Sequence, residues 1–417
     1  MIFIEGRWWK QGKLECQVNM RVIVAHNAYQ HRGGEDSVVE AEIALLRSHG
    51  NEVETYFRSN NDIATMPRAT VAVQTLWSSL SADDLARLIQ SFRPDVIHVH
   101  NTLPLISPSI YWAAARAGVP VVQTLHNFRL MCLSALYLRE GEVCEDCAGN
   151  LPWRGVVRKC YRGSSAASAV LAGLVTLHRS LGTYRNKVSR YIALNDFCRK
   201  KFIEGGLPAE LIAVKPNFVD WKDEADSSPN NPHPLSQGAS GVRSGILFVG
   251  RLSVEKGIES LGKAALLLPD AKLCVAGDGP QAAMLDGVQG VTKLGALPAD
   301  AVRREMNSAL ALVIPSIWYE NFPRTIVEAF AAGLPVIASR IGALAEIVTD
   351  GETGLLFEAG NVQDMADKLA WALANPEQMS MMGQKAHAKY EAEFTAEKNY
   401  AQLIDIYEAV IRERKIS

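Results

Sequence analysis

Three features of the sequence predict an α/β protein built from two doubly wound, Rossmann-like parallel-sheet domains that face each other across a cleft. Short β-branched runs alternate with helical patterns, as in βα units that build a parallel sheet. The alternation halts at a polar stretch and then restarts. At 417 residues the chain is also too long for one core of ordinary size.

The elements follow in order. Residues 1–19, "MIFIEGRWWKQGKLECQVN", read as an extension: they hold no sustained apolar segment and carry Glu5 early, unlike a secretory signal. Structure is expected from "MRVIVAHNAY" onward. The first domain, 20–220, contains the strand candidates "RVIVAHNAY" (21–29), "DVIHVHN" (95–101), "PVVQTLHNF" (120–128) and "RYIALN" (190–195). Residues 221–244, rich in Pro, Ser, Asn and Gly and without periodicity, read as the linker. The second domain, 245–392, carries "GILFVGR", "AKLCVAGDG", "ALVIPS", "PVIAS" and "GLLFEAG". A last helix within 393–417 is expected to pack back on the first domain. Such sheets bind ligands beyond the carboxyl ends of their strands, which puts both sets of loops on the cleft.

Composition narrows the function classes. Hydrophobic residues make up 48% and charged residues 21%, an ordinary globular balance, and a net charge of −2 gives no reason to expect a nucleic-acid partner. The longest apolar run, "AASAVLAGLVTL" (166–177), is shorter than a bilayer span. Seven cysteines without an export signal argue for reduced thiols or a metal site, and so for a cytoplasmic setting. Residues 151–201 hold eleven Lys/Arg against one acid, Asp196. That bias suits contact with an anionic membrane surface or lipid phosphate, or else a solvated face offset by acids that folding brings near.

The chemistry concentrates in "WYENFPRTIVEAFAAGLPV" (318–336). Pro323 suits the first turn of a helix, so Glu320 falls in the preceding loop and Glu328 in the second turn. Free N–H groups near Arg324 and Thr325 form an anion site. Flanking carboxylates would repel a bare phosphate but are good acceptors for paired sugar hydroxyls. A ligand carrying both phosphate and polyol, such as a nucleotide sugar, satisfies both halves. A carboxylate about 4 Å from a phosphate oxygen costs about 4 kcal/mol at an effective dielectric near 20, so cations are needed nearby. "GRLSVEKG" (250–257) supplies Arg251 and Lys256 beyond a strand.

"GRLSVEKG", "GDGP" (277–280), "LGAL" (294–297) and "PSIWYENFPRTIVEAFAAGLPVIAS" together resemble the donor half of retaining glycosyltransferase family 4, with its GT-B fold and Glu-x7-Glu motif. The likeness extends to "RGGEDSVVEAEIALLRSHGNEVETY" (32–56), "DVIHVHN" and "TLHNFR" (124–129). The resemblance implies that Glu320 binds donor-sugar hydroxyls and Glu328 the ribose diol. It implies that Arg251 and Lys256 hold the diphosphate with the amides of Phe322, Arg324 and Thr325. Gly33 and Gly34 would let the first loop approach the phosphates or acceptor, His126 would contact the sugar near the reacting carbon, and Leu297 would lie against the base. Pro323 and Asn321 depart from the family's usual Gly and Gly/Ala, which stiffens the loop. The chain has no Asp-x-Asp pair, so a transfer needing no metal cofactor is expected. The partners implied are a nucleoside-diphosphate sugar and a glycan or lipid-linked acceptor, in a setting such as bacterial surface polysaccharide or glycolipid assembly. A nucleotide-sugar 2-epimerase, or a basic membrane- or polysaccharide-binding protein without turnover, are the alternatives on the same fold.

Two further patterns compete. "GDGPQA" fits the G-x-G-x-x-A dinucleotide fingerprint, but no acidic residue ends a strand some twenty residues later. Cys132, Cys144, Cys147 and Cys160, spaced C-x11-C-x2-C-x12-C, suit either a structural zinc or four unrelated thiols. His98 and His100 share a strand face, with no third metal ligand evident in the sequence.

Overall fold

The computed structural model describes residues 19–30, 33–221 and 243–416. Residues 1–18 of the extension and 222–242 of the linker lie outside the described residues. The first sheet is made of β1 (Arg21–Ala28), β2 (Glu52–Ser59), β3 (Val96–Asn101) and β4 (Val121–Thr124), then, after a two-stranded hairpin of β5 (Leu138–Arg139) and β6 (Glu142–Val143), β7 (Arg190–Ala193) and β8 (Ile212–Val214). Its order is β2-β1-β3-β4-β7-β8, parallel throughout. Successive β1 residues take opposite faces: Ile23 and Ala25 join one core, while Val22 and Val24 join the other. Burial on both faces explains why the central strands are continuous apolar runs.

The second sheet contains β9 (Ile246–Val249), β10 (Leu273–Ala276), β11 (Val291–Gly295), β12 (Ala311–Ile314), β13 (Val336–Ser339) and β14 (Gly354–Phe357), ordered β11-β10-β9-β12-β13-β14. In each sheet the order reverses once, at β1/β3 and at β9/β12. Those reversals open the crevices where such sheets bind ligands. The helix Ala396–Ile416 returns to the first sheet, where Leu403, Tyr407 and Val410 pack with Val22 and Val24.

The domains meet through directed contacts. Glu346, from the second domain, accepts hydrogen bonds from the N–H groups of Asp196 (2.8 Å) and Phe197 (2.6 Å), the first two residues of the helix Asp196–Glu204. Asn195, which caps that helix, also donates to the carbonyl of Asn321 at 2.5 Å. The carboxylate therefore satisfies free amides at a helix N-terminus where the dipole favours it.

Folding disperses the basic bias of 151–201. Arg154 and Arg158 meet Asp146, Lys201 meets Glu145 and Glu204, and Arg190 meets Glu413. Arg179 and Arg199 are turned to backbone carbonyls. The segment is not a uniform cationic face. Among the described residues no helix is long and apolar enough to cross a membrane.

Candidate active site

The switch point of the second sheet holds a polar cluster. Lys256 lies at the end of a short 3-10 turn (Val254–Lys256) after β9, and Glu320 in the loop after β12. Lys256 Nζ is 2.5 Å from Glu320 Oε1, which also accepts from Ser316 Oγ at 2.7 Å. Glu320 is 5% exposed. Lys256 also stands 5.6 Å from the centre of the Trp318 ring. Gly257 permits this approach: it has φ +70°, and a Cβ there would fall 1.9 Å from the Pro315 carbonyl oxygen.

Arg251 is exposed and has no ion pair among the described residues. Pro323 is the N-cap of the helix Arg324–Ala331, with ψ 108°, so it stands just before the helix and not in its first turn. A proline has no N–H for the turn to lose, and its extended ψ aims the chain into the helix from outside. Arg324 and Thr325 then offer the first free amides. Glu328 sits one turn further, 3.5 Å from Arg324. Its desolvation raises the carboxyl above the usual range, opposed by Arg324 and Arg303. Each carboxylate of the spaced pair thus has its own cation. Leu297 is half-buried in the loop after β11, and Phe322 packs edge-on against Phe394 at 5.9 Å.

The loop carrying Glu320 docks on the first domain. Besides its bond from Asn195, Asn321 donates to the Leu125 carbonyl at 3.4 Å, the residue before His126. Tyr319 packs against Tyr137 and Phe197, at 5.9 and 4.9 Å between ring centres. His126 lies at the carboxyl end of β4 on the same crevice.

Behind His126 runs a buried polar chain that sequence reasoning missed. His126 Nε2 is 2.8 Å from His100 Nδ1. His100 Nε2 is 3.2 Å and His98 Nδ1 2.8 Å from Glu42 Oε1, and Glu42 Oε2 meets Lys215 Nζ at 3.1 Å. The Oε1 contacts lie off the line of good hydrogen bonds and act mainly through charge. Burial would raise the Glu42 carboxyl, but Lys215, His98 and His100 hold it well below its ordinary value. Burial, with help from His98, pushes His100 down to about 3, and burial with His100 pushes His126 well down.

These charges fix the tautomers. A carboxylate only accepts, so the His100 nitrogen facing Glu42 carries the proton and its Nδ1 is bare. His126 Nε2–H must then donate to that Nδ1, which leaves His126 Nδ1 as a hydrogen-bond acceptor. Glu42 is also the third ligand-type side chain near His98 and His100, all within 4.8 Å, but Lys215 already supplies the cation there.

The first loop adds a second missed group. Gly33 caps the helix Gly34–Ser48 and donates to Asp36 Oδ2 at 2.8 Å, while Asp36 Oδ1 is 2.8 Å from His26 Nε2. Neither Gly33 nor Gly34 has positive φ, and a Cβ on Gly34 would meet nothing within 4 Å. Glu35 beside them accepts from the Tyr29 hydroxyl at 2.9 Å. Burial raises its carboxyl to about 7, against the pull of Tyr29 and Arg129.

The dinucleotide fingerprint has a structural explanation. A Cβ on Gly277 would fall 1.8 Å from the Gly250 carbonyl oxygen, so that glycine lets the loop after β10 pack on the turn after β9.

The chain thus has two facing doubly wound domains, with cation–carboxylate pairs at the switch point of the second sheet. Residues 238–389 match the family of glycosyl transferases group 1, and residues 16–217 the glycosyl transferase 4-like domain. The chain belongs to these glycosyltransferases. It is 32% identical over 329 residues to 2-deoxystreptamine glucosyltransferase from Streptomyces kanamyceticus, covering 73% of this chain and 75% of that one. It is 28% identical over 419 residues to D-inositol 3-phosphate glycosyltransferase from Arthrobacter sp. (strain FB24), covering 91% and 90%. Some other relatives are matched over only 34–39% of their length. Among solved structures, HepE of Anabaena in complex with UDP superimposes with a TM-score of 0.64 at 19% identity, covering 94% of this chain and all of that one.

Proposed function

We propose that this glycosyltransferase moves a sugar from a nucleoside diphosphate to a glycan or lipid-linked acceptor with retention of anomeric configuration. The observation that carries the reading is the Lys256–Glu320 contact at the β9/β12 crevice, on the loop whose Asn321 bonds the Leu125 carbonyl beside His126. Its cation suits a diphosphate and its carboxylate suits sugar hydroxyls. The UDP held by the Anabaena neighbour supports a nucleotide donor.

Cleavage of the anomeric C–O bond places negative charge on the departing diphosphate. Lys256, Arg251 and the free amides of Arg324 and Thr325 stabilise it there. Glu320 turns from Lys256 to the sugar hydroxyls as the donor enters, and Glu328 takes the ribose diol. His126, held with Nδ1 as an acceptor, receives a hydrogen bond from a sugar hydroxyl near the reacting carbon. The open space beside Gly34 admits phosphate or acceptor. The acceptor hydroxyl attacks on the face the nucleotide leaves, and a departing phosphate oxygen takes its proton.

On the acceptor side, Leu151, Trp153 and Val157 are exposed beside Lys159 and Arg162, a combination that suits a lipid-linked acceptor at an anionic cytoplasmic surface. The test of the donor assignment is thermal unfolding with UDP, GDP and ADP and their sugars. One base series should raise the midpoint through binding to the folded state alone. No shift with any of them, at millimolar ligand, overturns the assignment.

A further inference from the structure

Away from the donor crevice, the segment between β4 and β7 gathers four cysteines that the transfer reaction does not use. Cys132 lies in the turn after Phe128, Cys144 directly follows β6, Cys147 ends the next turn, and Cys160 follows the helix Trp153–Val157. They come from separate stretches of chain, yet all four line one small cavity, with Ser134, Arg139 and Arg158 at its wall. None is in a disulfide.

We propose that Cys132, Cys144, Cys147 and Cys160 are the four thiolate ligands of a structural zinc ion. Four sulfurs and no oxygen donor in the set select a soft, tetrahedral metal. The Cys144-x2-Cys147 turn is the knuckle spacing that such sites use. One donor already reaches a sulfur: Arg158 Nη1 is 3.7 Å from Cys144 Sγ. A zinc tetrathiolate carries a net charge of −2; the cations on the cavity wall are Arg139 and Arg158, which also pair with Glu140 and Asp146.

The backbone gives an independent reason. Of the seven non-glycine residues with positive φ among the described residues, five fall here: Ala135, Tyr137, Glu140, Lys159 and Arg162. Regular structure over 132–160 amounts to a hairpin of two-residue strands and a five-residue helix. Core packing of Leu133, Ala135 and Tyr137 holds part of this segment, and a metal cross-link would tie its cysteine-bearing turns together.

The sulfurs stand wider than in a filled site. No trio of them lies within 4.8 Å, whereas thiolates on zinc are about 3.8 Å apart for Zn–S near 2.3 Å. Loading draws them inward and releases four protons: Zn²⁺ plus four thiols gives the tetrathiolate and 4 H⁺. The metal braces the knuckle residue Glu145, which meets Lys201 at 2.9 Å, and nearby Tyr137, which packs on Tyr319 beside Glu320.

The test is elemental analysis of the full chain purified without chelator, with X-ray absorption at the zinc edge and cobalt substitution. One zinc per chain with four sulfurs near 2.3 Å is expected. Co²⁺ exchange should give intense thiolate charge-transfer and tetrahedral ligand-field bands, and Cys147→Ser or Cys160→Ser should lose the metal. Substoichiometric zinc, together with no such bands on adding Co²⁺ to the folded protein, overturns the proposal. If the serine variants fail to fold, the wild-type cobalt spectrum decides. Donor binding by thermal shift is read separately, so a failed donor assignment leaves this test intact.

Discussion

Replacing Lys256 with alanine separates two effects of one cation. Lys256 is ion-paired with Glu320, which is 5% exposed. Removing one partner of so buried a pair leaves an uncompensated carboxylate, at about 3–5 kcal/mol of stability. On transfer, a unit charge about 4 Å from a leaving phosphate oxygen is worth about 4 kcal/mol at an effective dielectric near 20. The Lys256 side chain is 24% exposed, which lowers the figure to about 3 kcal/mol. Losses of about 3–4 kcal/mol correspond to about 200- to 1,000-fold in rate. The double variant Lys256→Ala/Glu320→Gln removes the orphaned charge, so stability should recover while transfer stays low. Denaturant titration reads the first quantity, and initial rates of nucleotide release read the second. A folded Lys256→Ala enzyme within tenfold of the parent rate refutes the leaving-group role. A double variant no more stable than the single refutes the account of the pair.

Other perturbations test the surroundings of the site. Because the Glu35 carboxyl is raised to about 7 from 4.5, the native state binds more protons than the unfolded chain between those values. Stability should therefore fall as pH rises through that window, by up to about 3 kcal/mol, and Glu35→Gln should flatten the slope measured by denaturant unfolding at each pH. Glu42→Gln leaves Lys215, still bonded to Asn399 Oδ1 at 3.0 Å, without its buried counter-charge and should cost about 3–5 kcal/mol in the same assay; nitrogen chemical shifts of labelled histidine should also show His126 losing its single tautomer. Gly257→Ala combines a positive-φ alanine with a clash against Pro315, and a loss of about 2–4 kcal/mol is expected in thermal unfolding. An unchanged midpoint would contradict the close packing at the switch point.

The legible parts of the fold were the buried ones. β1, β3, β4, β9, β10, β12 and β13 are covered on both faces, so they appear as continuous β-branched runs. Within the two six-stranded sheets the strands that stayed unread, β2, β8 and β11, are edge strands, and their mixed burial gives no such run: in β2 only Tyr56 is fully buried. The residues proposed for the donor side form a pattern readable in the sequence because Arg251, Lys256 and Glu320 fall in loops and turns next to strand ends, and Glu328 in the second turn of a helix. The Glu42 chain was not, because its members come together only through tertiary packing. A signal did exist: Glu42 interrupts the apolar stripe Val38, Val39, Ile43, Leu45 and Leu46 of the first helix. A charge in that position implies a buried partner, although its identity, Lys215 more than 170 residues away, is not a sequence property.

The Glu346 contact makes part of this helix's capping a property of the assembled pair of lobes. An isolated first domain would keep the Asn195 cap on the Cys198 N–H but would return the amides of Asp196 and Phe197 to water. Any hinge motion that widens the crevice breaks the same two bonds. Opening therefore frees two amides at one helix end, and exchange at Asp196 and Phe197 becomes a gauge of how often the jaws part.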